Sequence, residues 1–258
     1  MMINNDFIKW AQSFSGCDGG NINGKIWLCG IEWGGGDYSI ELDFQKETLL
    51  MNSSIPHRTP EDRNKILRNE NRRSTYDINA YKLLSVIHEE KSLKMIDYRA
   101  WVNRVKPFEE NSDYFKLNLY PISFKTTNDA LWNENWKQKT GIENKYLYRL
   151  SCWKYRFPIF KELVNTYNPQ LILCVGKSYT TDYLLAFEGL EKINFSGNIK
   201  TESIENDELL WLNINNNQTI LCITPFLTNA GNLVGNDKIS KFGIKISEIL
   251  KQKKEESK

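Results

Sequence analysis

Residues 25–38, KIWLCGIEWGGGDY, are the most informative stretch of the chain, because a short apolar run ends in three consecutive glycines. Residues 25–30 have the length and the composition of a buried β-strand. The glycines indicate a loop whose backbone takes conformations that other residues avoid. A buried strand that ends in such a loop is typical of the ligand-binding edge of an open α/β sheet.

Apolar runs near residues 116, 172 and 221 predict three more strands, with amphipathic helical segments between them. This alternation predicts an α/β fold, a three-layer α/β/α arrangement around a central, mainly parallel sheet. We expect a single domain over residues 1–258, with a frayed tail from about residue 252. The other predicted elements are helices at 3–14, 75–90, 97–106, 149–166 and 237–252, a helix ending at Phe187, and a hairpin of 209–214 with 219–224.

The composition disfavours several classes of protein. There are 34 basic and 32 acidic residues, so any DNA-binding surface must come from local clusters of charge. No apolar run reaches the ~18 residues of a membrane helix, and the first residues lack the pattern of a signal peptide, so we expect a cytoplasmic protein. The five cysteines contain no C-x-x-C pair, and only two histidines are present. We therefore expect neither a metal nor another cofactor.

Polar or glycine-rich segments follow all four predicted strands, at residues 30–36, 118–122, 176–178 and 224–232. In a parallel sheet these ends meet at one edge, so the four segments should form one cleft. Their order resembles the uracil-DNA glycosylase superfamily, and the motifs are nearest to its single-strand-selective monofunctional branch. The resemblance covers about residues 25–245 as short motifs. It implies a uracil-DNA glycosylase-like fold and hydrolysis of the bond between a flipped-out base and its sugar.

The resemblance assigns three catalytic positions. Glu32 stands where the family has an acidic or amide residue that holds the attacking water and steadies the sugar cation, although Trp33 replaces the family's proline. Asn118 stands where the branch reads the Watson–Crick edge of the base with an amide. Thr224 stands where most members have a histidine, so we expect weaker stabilisation of the leaving base. The residues alone leave open that Glu32 is a surface side chain and Asn118 a strand-end cap.

The resemblance also implies a base pocket around the glycine-rich loop. Gly34 stands where uracil-specific members carry a tyrosine, so an open wall of Gly34, Gly35 and Gly36 implies a large or modified base, with an ordinary tight turn as the alternative. Phe44, or its rival Tyr38, is expected to stack on the base unless it belongs to the core. The remaining predicted pocket residues are Gly30, Ile31, Trp33 and Asn229, the last as a substitute hydrogen-bond donor.

Six residues are candidates for contacts with the DNA backbone. Lys177 and Ser178 follow the third predicted strand near a helix N-terminus, where a phosphate can bind. A nucleotide-binding P-loop is excluded there, because Leu171 stands where that motif needs glycine. The other four come from the basic segments 57–73 and 149–161, for which a solvated helix face is the alternative. They are Arg72, Arg73, Lys154 and Arg156.

Together these features predict a monomeric, metal-independent and monofunctional DNA glycosylase. No lysine stands in the Glu32 motif, which disfavours a Schiff-base lyase. The glycine wall and the missing histidine favour a modified pyrimidine, such as glucosylated hydroxymethylcytosine in phage DNA, and with it a role in antiviral defence. The alternatives are repair of uracil or oxidised uracil, a non-catalytic DNA-binding module on the same fold, and a nucleotide-binding α/β enzyme that uses the glycine loop.

Overall fold

A computed structural model of the chain describes residues 2–34, 43–68, 75–124, 128–189, 199–228 and 232–256. Its strands are β1 (Gly19–Gly20), β2 (Ile26–Gly30), β3 (Tyr114–Asn118), β4 (Leu171–Val175), β5 (Lys200–Ile204), β6 (Asp207–Ile214) and β7 (Thr219–Thr224). They form one seven-stranded sheet in the order β1-β3-β2-β4-β7-β6-β5. The α/β class predicted from the sequence is therefore confirmed.

The four central strands, β3-β2-β4-β7, are parallel and in register, so that Ile26 lies opposite both Tyr114 and Leu171. Every residue of β4 and β7 is buried. Such continuous apolar runs are expected of parallel strands covered on both faces. The pairs at the two edges of the sheet are antiparallel, including the predicted hairpin of β6 with β7. The sheet is therefore mixed, and the prediction of a mainly parallel sheet applies only to its centre.

Helices cover both faces of the sheet. They are α1 (Asn5–Gln12), α2 (Phe44–Ser53), α3 (Pro60–Arg68), α4 (Thr75–Glu89), α5 (Tyr98–Val105), α6 (Glu134–Thr140), α7 (Lys145–Tyr155), α8 (Phe157–Tyr167), α9 (Thr180–Phe187) and α10 (Asn236–Glu256). Alternate side chains of β2 serve the two faces: Trp27 and Cys29 pack with α1, α7, α8 and α9, whereas Leu28 packs with α4, α5 and α10. None of the described helices is both long and apolar enough to span a membrane.

The single helix predicted at residues 149–166 is two helices, α7 and α8, that meet at Arg156. Pro158 lies in the first turn of α8. Proline lacks the N–H that would continue the bonding of a preceding helix, but it is well accommodated at a helix start. The break places the buried Arg156 at the junction of the two helices. Its guanidinium donates there to carbonyl groups at the end of α1, in the loop after α1 and just after β3.

Candidate active site

The carboxyl ends of β2 and β4 form the topological switch point of the sheet. The chain leaves β2 for β3 on one side and leaves β4 for β5, at the far edge beyond β7, on the other, so it departs in opposite directions across the sheet. Ligands of open α/β sheets bind in the crevice that such a divergence creates. The loops that follow the two strands touch, since a Cβ built on Gly176, whose φ is +123°, would lie 2.8 Å from Cδ1 of Ile31. Glycine is therefore required at this contact.

Glu32 lies at this edge with its carboxyl group turned to α7. Its Oε1 is 3.7 Å from Nζ of Lys145, and only 8% of its side chain is exposed. Lys145 is buried, and its Nζ also lies 3.9 Å from the centre of the Phe124 ring. Burial raises the pKa of Glu32 to about 7, against the opposing charges of Lys145 and then Arg149. A carboxyl group with this pKa exchanges its proton near neutral pH, as a general base must.

A cleft of about 420 Å³ opens between α7 and the start of α9, beyond the end of β4. We call it the α7–α9 cleft, and its lining consists of Tyr146, Arg149, Leu150, Trp153, Ser178, Tyr179 and Asp182. Arg149 connects the cleft to Glu32, because its charge also lowers the pKa of that carboxyl group. Glu32 does not itself line the cleft, but the two share Arg149 as a nearby charged group.

Asn118 is buried, and its side chain is held within the protein. Its Nδ2 donates to the carbonyl oxygen of Gly16 at 2.6 Å. Its Oδ1 fills the space beside Gly30, only 2.3 Å from where a Cβ of that residue would stand. One N–H of the amide is engaged and the side chain is buried, so we replace the base-reading role predicted for Asn118 with a structural one: it ties the end of β3 to the loop after α1.

Thr224 is also engaged within the protein. It is fully buried, and its hydroxyl lies 3.4 Å from the carbonyl oxygen of Cys174 and 3.1 Å from that of Pro225. A hydroxyl that donates to these carbonyls is not directed at a leaving base. The prediction that Thr224 assists the leaving group is therefore wrong for this arrangement. Asn229, the predicted substitute donor, lies outside the described residues.

The predicted base pocket is only partly assembled. Of the described residues, none lies within 4 Å of a Cβ placed on Gly34, so the space beside this glycine is open. Trp33 is 41% exposed, whereas Ile31 belongs to the core. Phe44 is buried with its ring centre 4.9 Å from that of Trp10, so the stacking role predicted for it is wrong and the core alternative holds. Gly35, Gly36 and Tyr38 lie outside the described residues.

Of the six residues predicted to contact DNA, two are exposed, one is in an ion pair, one is buried and two lie outside the described residues. Ser178 and Lys154 are exposed, and Lys177 forms an ion pair with Glu208 at 2.8 Å. Arg156 is fully buried, so its predicted contact with a phosphate is wrong. Its guanidinium donates to five backbone carbonyls, those of Ala11, Ser13, Ser15, Asn118 and Leu119. Arg72 and Arg73 lie outside the described residues.

Sequence reasoning did not connect Glu32 with Lys145 or Arg149, the two cations that act on it. They lie one helical turn apart at the start of α7, where Arg149 begins the basic segment 149–161 and Lys145 precedes it. Spacing by four residues does place two side chains on one face of a helix. More than a hundred residues separate that face from Glu32, so no local pattern connects them. The absence of a lysine from the Glu32 motif was thus no guide to the site, because Lys145 is beside Glu32 in space.

A second group of charges, which we call the Asp77 cluster, lies on the α4 face of the sheet and contains the buried Arg58 and Lys116 with the partly exposed Asp18 and Asp77. Nη2 of Arg58 lies 2.6 Å from Oδ1 of Asp77, and Nζ of Lys116 lies 2.9 Å from the same atom. Asp18 pairs with both cations. Burial alone would raise the pKa of Asp77, but Arg58 and Lys116 together hold it well below the ordinary value.

Comparison with models of known protein families gives no match, and comparison with curated protein sequences gives no significant one. Among the described residues, no group of three or more histidine, cysteine, aspartate or glutamate side chains is arranged to hold a metal ion. A functional assignment therefore depends on the motifs and on the geometry around Glu32.

Proposed function

We propose that the chain is a monofunctional DNA glycosylase of the uracil-DNA glycosylase type, and that Glu32 is its general base. One observation carries the proposal: a buried carboxyl group with a pKa near 7 lies at the switch point of the sheet, beside two cations and an open cleft. Perturbed carboxyl groups in such positions are candidates for catalysis on physical grounds. The order of the four strand-end motifs supplies the reaction class.

Hydrolysis of the bond between base and sugar requires one proton acceptor. Glu32 takes a proton from a water molecule, the water oxygen bonds to C1′ of the sugar, and the C1′–N bond breaks. The base leaves with the bonding electron pair and takes a proton from solvent. The sugar carries positive charge while this happens, and an ionised carboxylate nearby stabilises it. Lys145 and Arg149 favour the ionised form of Glu32, so they keep the base active at neutral pH.

We further propose a modified pyrimidine as the substrate, with glucosylated hydroxymethylcytosine of phage DNA as the leading example. No described residue fills the space beside Gly34, and this supports a base with a bulky substituent. Uracil or oxidised uracil is the alternative within the same reaction. The Lys145 ammonium is paired with Glu32, and this favours hydrolysis over Schiff-base chemistry, which needs a neutral amine.

The proposal is tested by incubating the protein with duplex and single-stranded DNA containing glucosylated hydroxymethylcytosine, uracil or no modification, then cleaving abasic sites with alkali. We expect strand breaks in the modified DNA, and a fall in rate of about 10²- to 10⁴-fold in Glu32→Gln. Glu134→Gln, an exposed position on α6, is the matched control and should retain full activity. Borohydride trapping should give no covalent adduct, whereas an adduct would identify a lyase.

A non-catalytic DNA-binding module is the second candidate, and a specific observation favours it. Asn118 and Thr224, two of the three predicted catalytic residues, are committed to backbone carbonyls. Only Glu32 of the predicted catalytic set then remains available. If no DNA in the panel yields abasic sites and Glu32→Gln binds DNA as tightly as the wild type, the binding module is the better description.

A further inference from the structure

The α7–α9 cleft combines aromatic walls with a few fixed polar groups. Tyr146, Trp153 and Tyr179 supply the aromatic surface, and Tyr146 is 61% exposed. A volume of about 420 Å³ is large enough for a nucleoside. Aromatic side chains stack on any base and are typical of sites that hold unpaired nucleotides. The shape and the lining therefore suit a planar heterocycle better than an aliphatic ligand.

The carboxylate of Asp182 is held in a set orientation within this cleft. Nε1 of Trp153 donates to its Oδ1 at 3.0 Å, and the hydroxyl of Tyr120 donates to the same oxygen. Asp182 therefore presents a hydrogen-bond acceptor whose position is determined by two buried or half-buried partners. The carboxylate also raises the pKa of the Tyr120 hydroxyl, after the larger effect of burial, which keeps Tyr120 a donor.

Arg149 brings to the cleft a charge opposite to that of Asp182. Its guanidinium is 6.0 Å from the centre of the Tyr179 ring, and it brings a positive charge to the cleft. A simple cation would be repelled by Arg149, and a simple anion would be repelled by Asp182. A ligand that offers both a donor and an acceptor along one edge satisfies both groups. The edge of a nucleobase with an exocyclic amine has this pattern.

We propose that the α7–α9 cleft holds the substrate base and selects bases that carry an exocyclic amine over thymine and uracil. The amine donates to Asp182, the ring stacks on the aromatic wall, and Arg149 binds a ring acceptor. An amine-bearing base presents its amine to the carboxylate of Asp182. Thymine and uracil present a carbonyl oxygen at that position, and the carboxylate repels it. The inference rests on the proposed glycosylase function and narrows its substrate to amine-bearing bases, which include the modified cytosines.

Binding is measured with the full-length Glu32→Gln protein, so that no base is removed during the experiment. The probes are fluorescent single strands with one test nucleotide, dC, dA, dT or dU, flanked by abasic spacers, and anisotropy gives the Kd at one fixed salt concentration. We expect dC and dA to bind at least about tenfold more tightly than dT and dU. Equal affinities for the four strands would overturn the proposal.

Two variants test the assignment of roles within the cleft. Asp182→Asn should reduce the preference for dC over dU to within about threefold, because an amide can donate to a carbonyl oxygen. Tyr146→Ala, at an exposed position where folding is not at risk, should weaken binding of all four strands by about tenfold. Asp237→Asn, an exposed carboxylate on α10, is the control and should change nothing. An unchanged preference in Asp182→Asn would contradict the inference.

The binding and the activity experiments fail in different ways. In one case the wild-type protein forms abasic sites, but adding Asp182→Asn or Tyr146→Ala to Glu32→Gln leaves the binding of all four strands unchanged. The glycosylase function then stands, and the cleft assignment is wrong. If the predicted base preference is found in a protein that forms no abasic sites, the cleft assignment stands and the glycosylase function is wrong.

Discussion

Two carboxyl groups on opposite faces of the sheet, the buried Glu32 and the partly exposed Asp77, have opposite acid–base behaviour. Asp77 accepts hydrogen bonds from Arg58 and Lys116 at 2.6 and 2.9 Å, and its pKa is held far below the ordinary value. Glu32 has one cation in ion-pair contact, at 3.7 Å, and its pKa rises to about 7. Desolvation raises the pKa of both groups, and the number and closeness of the cations decide the outcome.

The difference separates a structural charge from a reactive one. The Asp77 cluster contains two acids and two bases in mutual contact, so each charge is compensated, and the lowered pKa of Asp77 keeps this carboxylate ionised. Such a group cannot take up a proton near pH 7. The partial compensation at Glu32 leaves its proton exchangeable at that pH. A general base requires this second state.

Removing the charge of Asp77 should destabilise the protein strongly. In Asp77→Asn, Arg58 and Lys116 share only Asp18, which leaves one buried positive charge uncompensated. The cost of breaking a buried pair is about 3–5 kcal/mol of the free energy of unfolding. Urea denaturation at pH 7 measures it. Asp113→Asn, which breaks the exposed pair with Lys25, is the control and should cost less than about 1 kcal/mol. Similar losses in the two variants would refute the contrast between buried and exposed pairs.

Changing the pH should act on the two carboxyl groups in opposite directions. The folded-state pKa of Glu32 exceeds its ordinary value of 4.5, so its contribution to stability is present below about pH 4.5 and is lost as the pH rises through about 7. The gap between the two pKa values corresponds to about 3 kcal/mol. Asp77 has a lowered pKa, so its contribution is present above about pH 4 and is lost as the pH falls further.

This pH dependence is measured as the difference in free energy of unfolding between wild type and Glu32→Gln from pH 4 to pH 8. The wild type should lose stability relative to the variant across pH 4.5–7, and the rate of base release should rise over the same range. A difference that is constant with pH would mean that the Glu32 carboxyl titrates normally.

Lys145→Met should raise the pKa of Glu32 further, because it removes the nearer cation while preserving the length of the side chain. We expect the midpoint of the pH–rate profile to move upward by about one pH unit, which lowers the rate at pH 6.5 by up to about tenfold. The maximal rate at high pH should be retained, which distinguishes a positioning cation from a reacting amine. Lys46→Met, an exposed position on α2, should leave the midpoint in place.

The strands that could be predicted from the sequence are those buried on both faces. Leu171–Val175 and Thr219–Thr224 are apolar at nearly every position, and their predicted bounds match the structure. Strand β5 was missed because its sequence, KTESI, is polar and mostly exposed. Edge strands of this kind carry no hydrophobic signal, and their pairing depends on the neighbouring strand.

The site was predicted less well than the fold for a related reason. Asn118, Arg156 and Thr224 are polar residues in apolar surroundings, which made them candidates for chemistry. In the structure all three are buried and form hydrogen bonds with backbone carbonyls inside the protein. Local sequence does not distinguish these two uses of a polar side chain. The distinction requires the long-range packing that also brings Lys145 to Glu32.

The smallest expected effect belongs to Gly34→Ala, two residues from Glu32. A Cβ at this position has no described atom within 4 Å, and the backbone there does not require glycine. The free energy of unfolding should change by less than about 0.5 kcal/mol, and the midpoint of the pH–rate profile should stay within a few tenths of a unit, since α7 sets the charge of Glu32. Gly30→Ala, whose Cβ would stand 2.3 Å from Oδ1 of Asn118, is the contrasting variant and should cost about 1–3 kcal/mol. A midpoint that moves in Gly34→Ala would show that the loop, and not the cations of α7, controls the proton on Glu32.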